Sequence, residues 1–360
     1  MLHDSFNYSI CILDWSCKNP SALRRLKVLI YCCNIVPPRM RDTYYNQDCI
    51  TGARDHIPDR SVDLIITDPP FAINGNNLHK HYHRKEEHVF EGYVEVDQEE
   101  YRDFSIKWMH EAHRVLKDTG SMYVVSGWSN LLDILLALEK NDFELINHII
   151  WKYNFGVSTR HKFVTSHYHI LYCKKSAAKK VKFNTFCRFG TSEKHDDNSS
   201  MLYNDLEDVW VINRDFKKGR LRNKNTLPAE LLKKMILYSS DENDLVCDFF
   251  LGSFSTAKIS KSLNRYSTGF EVNSDVYDYQ LEQMHNIERG YILKELCSNG
   301  GNPHHNQRKR WTEEEANKVI ARYDAIKSAG LTDKKAYQLL SMEFGRGYFS
   351  MMNITKKNRK

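Results

Sequence analysis

Asp68-Pro69-Pro70-Phe71 sets a carboxylate, two prolines and an aromatic ring in a row, directly after the run Leu64-Ile65-Ile66-Thr67. Consecutive prolines have no backbone N–H to donate, so a strand ladder must stop there. The tetrapeptide reads either as a strand followed by a stiff turn, or as a rigid rim holding a carboxylate, a carbonyl and a ring at fixed angles. A second constellation follows the apolar run Leu245-Val246-Cys247. There Asp248-Phe249-Phe250-Leu251-Gly252-Ser253 makes a glycine-containing turn, and Glu271 closes the next apolar run, "YSTGF". A tight turn at the carboxyl end of one strand, with an acid closing the next, is where α/β sheets hold an adenosine, the acid facing its ribose hydroxyls. Sheets that bind no nucleotide match this second pattern too, so its force comes from its partnership with the first.

The elements that must carry these residues alternate between strand and helix, the mark of an α/β sheet. Residues 61–67, "SMYVVSG" (121–127), "LINHIIWKY" (145–153), "SHYHILYCKK" (166–175), 244–250 and 266–271 read as strands. Between them, 101–120 reads as a helix with Tyr101, Phe104, Trp108, Ala112, Val115 and Leu116 on one face, ending at Gly120. "NLLDILLALEKNDF", "LPAELLKKMILYSS" with Pro228 in its first turn, and "AKISKSLN" are further helices. Residues 72–100 form a polar stretch suited to a mobile loop over a site. Its His79, His81, His83 and His88 lack a carboxylate or cysteine at ligand spacing, so no metal is expected. Residues 175–222 lose periodicity and gain charge, as an inserted recognition region would. Residues 1–39 have no clear period, and Met40 reads as a natural domain start.

The bulk numbers bound the class. Of 360 residues, 41% are apolar and 27% charged, as in soluble globular chains. No apolar run is long enough for a membrane span, and the opening residues lack the basic front end of a signal peptide. Nine scattered cysteines without a CxxC pair suggest reduced thiols and a cytoplasmic setting. The net charge of +6 is unevenly placed: residues 301–360 hold 13 Lys and Arg against 6 Asp and Glu, on a nearly neutral body. A basic tail points to a polyanion, most simply nucleic acid.

Taken in order, "YYNQDCI…PDRSVDLIITDPPF", "RVLKDTGSMYVV", "IIWKYN…FVTSHYHILYCKK", "LPAELLKKMI" and "DLVCDFFLGSFSTA…GFEVN" resemble the DNA amino-methyltransferases. The likeness is to the permuted group, in which the catalytic D-P-P-[YF] precedes the cofactor loop, and it runs from about Met40 to residue 285. It implies a Rossmann-like fold with a mostly parallel sheet flanked by helices, over residues 40–290. It implies S-adenosylmethionine as cofactor, double-stranded DNA as partner, a DNA-associated cytoplasmic protein, and a cognate restriction enzyme or a second copy of the chain as further partners. It assigns Asp68, Pro69, Pro70 and Phe71 to the target amine. Asp248, Gly252, Ser253, Glu271 and Asp48 fall to the cofactor, with Asn273 and Thr226 as further contacts.

Chemistry agrees with that assignment. An exocyclic amine is a poor nucleophile because its lone pair is delocalised into the ring. Asp68 and the Pro69 carbonyl can accept its two N–H bonds and steer the lone pair toward a methyl donor, and the prolines keep both acceptors in place. Phe71 offers a face for a base that has left the duplex. Attack on cytosine carbon 5 would need a nucleophilic cysteine, typically after a proline, and the chain has no Pro-Cys pair. The expected activity is N6-adenine methylation in a specific DNA sequence. Cytosine-N4 methylation and an inactive DNA-binding descendant are the alternatives. The last is raised by departures from the family's D-P-F-x-G-S-G-[TS]-T, where Phe249 replaces a proline and Phe254 a glycine.

After a linker at 291–306, residues 307–360 read as a small all-α domain. Thr312 and Glu315 form a capping box preceded by Trp311, and two further helices follow, with Arg346, Lys356, Lys357, Arg359 and Lys360 as candidate nucleic-acid contacts. The opening Trp-Thr-x-Glu-Glu resembles Myb-like helix-turn-helix modules.

Overall fold

The computed structural model describes residues 36–70, 96–97, 99–154, 156, 158, 160–214, 226–293, 311–328 and 331–357. Its strands are β1 (Thr43–Tyr45), β2 (Val62–Thr67), β3 (Leu116–Ser126), β4 (Phe143–Lys152), β5 (His167–Lys175), β6 (Val209–Val211), β7 (Leu245–Asp248) and β8 (Tyr266–Phe270). The helices are α1 (Cys49–His56), α2 (Tyr101–Val115), α3 (Leu131–Lys140), α4 (Met201–Leu206), α5 (Ala229–Ser239), α6 (Ser255–Ser262), α7 (Ser274–His285), α8 (Glu313–Ser328), α9 (Asp333–Phe344) and α10 (Tyr348–Lys357).

The strands form one sheet in the order β1-β8-β7-β2-β3-β5-β4-β6. Five of the pairings run parallel; only those of β5 with β3 and β4 are antiparallel. All six β2 residues are buried, which explains an apolar run without alternation: helices cover both faces. Successive side chains divide between those faces. Val62, Ile65, Met122 and Val124 join Trp108, Met109 and Ala112 of α2 and Ile134 of α3 in one core. Leu64, Ile66, Tyr123 and Val125 join Leu231, Leu232, Met235 and Ile236 of α5 in the other. The result is a three-layer Rossmann-like sandwich.

The one charged residue inside β2 is accounted for. Both Asp63 carboxylate oxygens accept from Lys117 Nζ at 2.8 Å, and Oδ2 also takes the Leu245 amide at 3.0 Å, tying β2 to β3 and β7. Gly269 allows β7 and β8 to meet, since a Cβ there would lie 2.2 Å from the Asp248 carbonyl oxygen.

Two sequence expectations move. Helix α2 stops at Val115, not Gly120; Leu116–Gly120 already belongs to β3, and Leu116 pairs with Val62 of β2. Ladder pairing outweighs the helical spacing of Leu116. Pro228 is the residue before α5 and lies outside its first turn. Packing also starts before Met40: Val36 and Met40 are both buried in the first core. Most of the 72–100 loop with its histidines, residues 1–35 and nearly all of the linker lie outside the described residues. Across the described part of 175–222, the regular elements are α4 and β6.

Helices α8, α9 and α10 pack around Val319, Tyr323, Ala336, Tyr337, Leu340 and Met351. Thr312 Oγ1 accepts the Glu315 amide at 3.1 Å, as a capping residue should. Arg346 corrects the sequence reading. It is 3% exposed, its guanidinium bonds both Glu315 carboxylate oxygens at 2.9 and 2.7 Å, and it lies over the Trp311 ring at 4.0 Å. It joins the start of α8 to the α9–α10 turn and is turned away from solvent. Lys356 is exposed, the Lys357 side chain is not among those described, and Arg359 and Lys360 lie outside the described residues.

Candidate active site

Four acids line one edge of the sheet, at the carboxyl ends of four neighbouring parallel strands. Asp48 follows β1, Glu271 follows β8, Asp248 ends β7 and Asp68 follows β2, in the order in which those strands lie side by side. In open α/β sheets this edge is where ligands bind.

Asp248 is 5% exposed, and its Oδ1 accepts from Thr67 Oγ1 at 3.1 Å and from the Phe250 amide at 3.0 Å. Thr67 immediately precedes Asp68, so this bond connects the two sequence motifs across β2 and β7. Burial raises the Asp248 carboxyl to about 6. Asp68 is pushed higher, to about 8, first by burial and then by the neighbouring Asp248 charge, with Arg214 opposing. Its Oδ1 is buried and has no hydrogen-bond partner among the described residues. An ionisable acceptor left without a donor in a dry place costs stability, and such groups cluster where ligands bind.

The pocket at Asp68 is walled by Val125, Trp151, Tyr168, Arg214, Thr226 and Leu227. Trp151 is held by its indole N–H donating to the Ile212 carbonyl at 2.8 Å, across the β4–β6 edge. The rings of Trp151, Tyr153 and Tyr168 lie within 5.5–5.6 Å of one another. Pro69 is buried and Pro70 half-buried behind Asp68, while Phe71 lies outside the described residues. Thr226 therefore stands on the wall of the Asp68 pocket. Trp151, Tyr168 and Arg214 were not singled out from sequence. The two aromatics left only a spacing in strands that also reads as core, and Arg214 fell unnamed within the charged 175–222 region.

On the other side, Glu271 Oε2 accepts the Gly252 amide at 2.9 Å and Oε1 the Asn273 amide at 2.8 Å. These bonds close the β7–α6 turn against the end of β8, with Gly252 at φ +47°. Each Glu271 oxygen keeps a second lone pair for a ligand hydroxyl. Asn273 and Asp48 also do local work. Asn273 Oδ1 caps α7 through the Val276 amide at 2.9 Å, and Asp48 Oδ1 caps α1 through the Ile50 and Thr51 amides at 3.0 Å.

Phe254 takes the left-handed conformation that its glycine-like position demands, φ +56° and ψ +25°. Its ring is fully buried among Tyr44, Leu251, Ala257 and Met284. The side chain fills a core between β1, α6 and α7 and leaves the turn formed.

A DNA methylase family model, covering N6- and N4-methyltransferases, matches residues 62–282. The chain belongs to this family. The DNA adenine methyltransferase YhdJ of Escherichia coli is 31% identical, over 67% of this chain and 82% of its own. The type II methyltransferases M.HinfI of Haemophilus influenzae and M.HpaI of Haemophilus parainfluenzae are 29% and 30% identical, over 69% and 66% of this chain and 69% and 73% of theirs. The same fold recurs in the cytosine-N4-specific PvuII DNA methyltransferase, with a TM-score of 0.51, 16% identity, and 69% of this chain and 91% of that one covered. It recurs also in TTHA0409 of Thermus thermophilus complexed with S-adenosyl-L-methionine, with a TM-score of 0.50, 19% identity, and 68% and 93% covered. No helix among the described residues is long and apolar enough to cross a membrane.

Proposed function

We propose that this DNA methylase transfers a methyl group to the N6 amine of adenine in DNA, using S-adenosylmethionine, with Asp68 and the Pro69 carbonyl accepting the two amine hydrogens. The observation that carries this reading is the buried Oδ1 of Asp68, unpartnered among the described residues, at the carboxyl edge of the sheet in an aromatic-walled pocket. A carboxylate placed there draws the amine lone pair out of conjugation, and the same oxygen can take the proton that the amine must shed once methylated.

The residues fit the cofactor. S-adenosylmethionine, when bound, supplies an electrophilic methyl on a cationic sulfonium. Asp68 and Asp248 are neighbouring carboxylates whose mutual repulsion a cation would relieve. Glu271 and the Gly252–Ser253 turn would hold the ribose and Asp48 the adenine side.

The β4–β5 connection lies at this same edge. It carries Arg160, His161 and Lys162 beside Phe163, a residue 99% exposed. Basic residues around an exposed ring suit a distorted or opened duplex. Adenine is favoured by the relative named as an adenine methyltransferase, and the type II relatives support a cognate restriction enzyme as partner.

The test is methyl transfer to unmodified DNA by wild type and Asp68→Ala, with the product digested to nucleosides and weighed by mass spectrometry. N6-methyladenine from the wild type alone is expected. N4-methylcytosine would reassign the target base, and no methylated base would overturn the reading.

A further inference from the structure

Opposite Asp68, the same pocket holds a second polar atom without a partner. Arg214 Nε is buried and makes no hydrogen bond among the described residues. Its guanidinium is seated on the ring cluster, 4.7 Å from the centroid of Tyr153, 5.4 Å from Tyr168 and 6.0 Å from Trp151. Stacking of this kind holds a guanidinium by its faces and leaves its in-plane N–H groups to bond edge-on. The pocket thus presents one orphaned acceptor, Asp68 Oδ1, and one orphaned donor, Arg214 Nε–H. Each alone is costly. A single ligand edge with a donor beside an acceptor would satisfy both.

We propose that Arg214 is a base-binding residue whose Nε–H donates to the ring nitrogen next to the exocyclic amine held by Asp68. This rests on the methyl-transfer reading above and adds to it a means of choosing the base. Adenine offers its amine beside N1, and cytosine its amine beside N3. Guanine and thymine carry a carbonyl at that exocyclic position and a protonated nitrogen beside it, so both bonds would be replaced by donor–donor and acceptor–acceptor clashes. Rejection of this kind is large because buried groups are left unpaired. The cation also favours the ionised form of Asp68, in keeping with its opposing effect on that carboxyl.

The experiment is a double substitution, one change in the protein and one in the DNA. Wild type, Arg214→Met and Arg214→Lys are assayed on duplexes carrying the methylated site as mapped on plasmid DNA. The target adenine is kept or replaced by 1-deazaadenine (3-deazacytosine if the product is N4-methylcytosine). Wild type should lose about 10- to 100-fold in kcat/KM on the deaza substrate, the value of one charge-assisted hydrogen bond. Arg214→Met should lose as much on normal DNA and little more on the deaza duplex. Arg214→Lys, which keeps the charge, should fall between. Unchanged S-adenosylmethionine affinity and melting temperature would show that the variants fold; a purely packing role for Arg214 would leave the deaza penalty intact in each.

An equal deaza penalty in wild type and variants, or a rate within about 3-fold of wild type for Arg214→Met, would overturn the assignment while leaving the methyltransferase reading in place. No methylated base from the wild type on any DNA would remove that reading and this one together.

Discussion

At the scale of single residues, the proposed chemistry depends on keeping a carboxylate away from the water that would ordinarily stabilise it. Asp68 sits near 8 because burial and Asp248 disfavour its charge. The free enzyme should therefore gain kcat/KM as pH rises through about 8, and Arg214→Met, by removing the opposing cation, should move that inflection upward. The same shift has a cost in stability. A folded pKa above the unfolded value means the carboxyl is tolerated while protonated, below about pH 4, and destabilises progressively as pH rises from there toward 8. Asp68→Asn should accordingly lower methyl transfer by about 100-fold or more. It should also raise stability at pH 8 and leave it nearly unchanged at pH 4. Thermal melts at the two pH values check the sign. A variant that is less active and less stable at both would mean that Asp68 is structural.

At the scale of elements, the proposed cofactor site rests on the β7–α6 turn. The departure at Phe254 looked from sequence like a threat to that turn. The backbone meets the demand for positive φ at about 1–2 kcal/mol of strain, and burial of the whole ring offsets it. Phe254→Gly should thus destabilise the protein by about 2–3 kcal/mol, the cavity outweighing the relieved strain. S-adenosylmethionine affinity should stay within a few-fold of wild type. A variant that is more stable and binds much more tightly would show instead that the phenylalanine impairs the site. Phe249, at the other departure, packs against Trp108 and Phe270, so both replacements serve the core behind the turn.

At the scale of the molecule, the catalytic sandwich carries a basic helical bundle whose charge excess is its most evident property. If the bundle holds DNA nonspecifically, truncation after Gly300 should weaken binding and flatten the salt dependence, by about 0.9 in log–log slope for each phosphate that the bundle neutralises. Arg346→Met should act differently. By leaving Glu315 without its cation, it should destabilise the bundle by about 2–4 kcal/mol and change DNA affinity only as unfolding does. Circular dichroism of the full-length variant beside its DNA titration separates the two effects. An unchanged slope on truncation would assign the bundle to protein contacts.

The local sequence was enough for everything that rests on short-range covalent and periodic constraints. The double proline had to end β2, the apolar runs had to be buried strands, and the glycine turn followed by an acid had to lie at a strand's carboxyl end. Those features also carried the family, because their order along the chain is itself informative. Tertiary structure alone decided what meets across the sheet. Leu116 joined β3 because a ladder partner waited at Val62, and Arg346 became a buried brace because Glu315 and Trp311 lie where its side chain reaches. Trp151, Tyr168 and Arg214 arrive at Asp68 from β4, β5 and the segment after β6. The parallel arrangement of β2, β7, β8 and β1 aligns four acids on one edge although they are far apart in sequence. Pairing between distant segments is set by the whole core's packing, and no window of neighbouring residues contains that information.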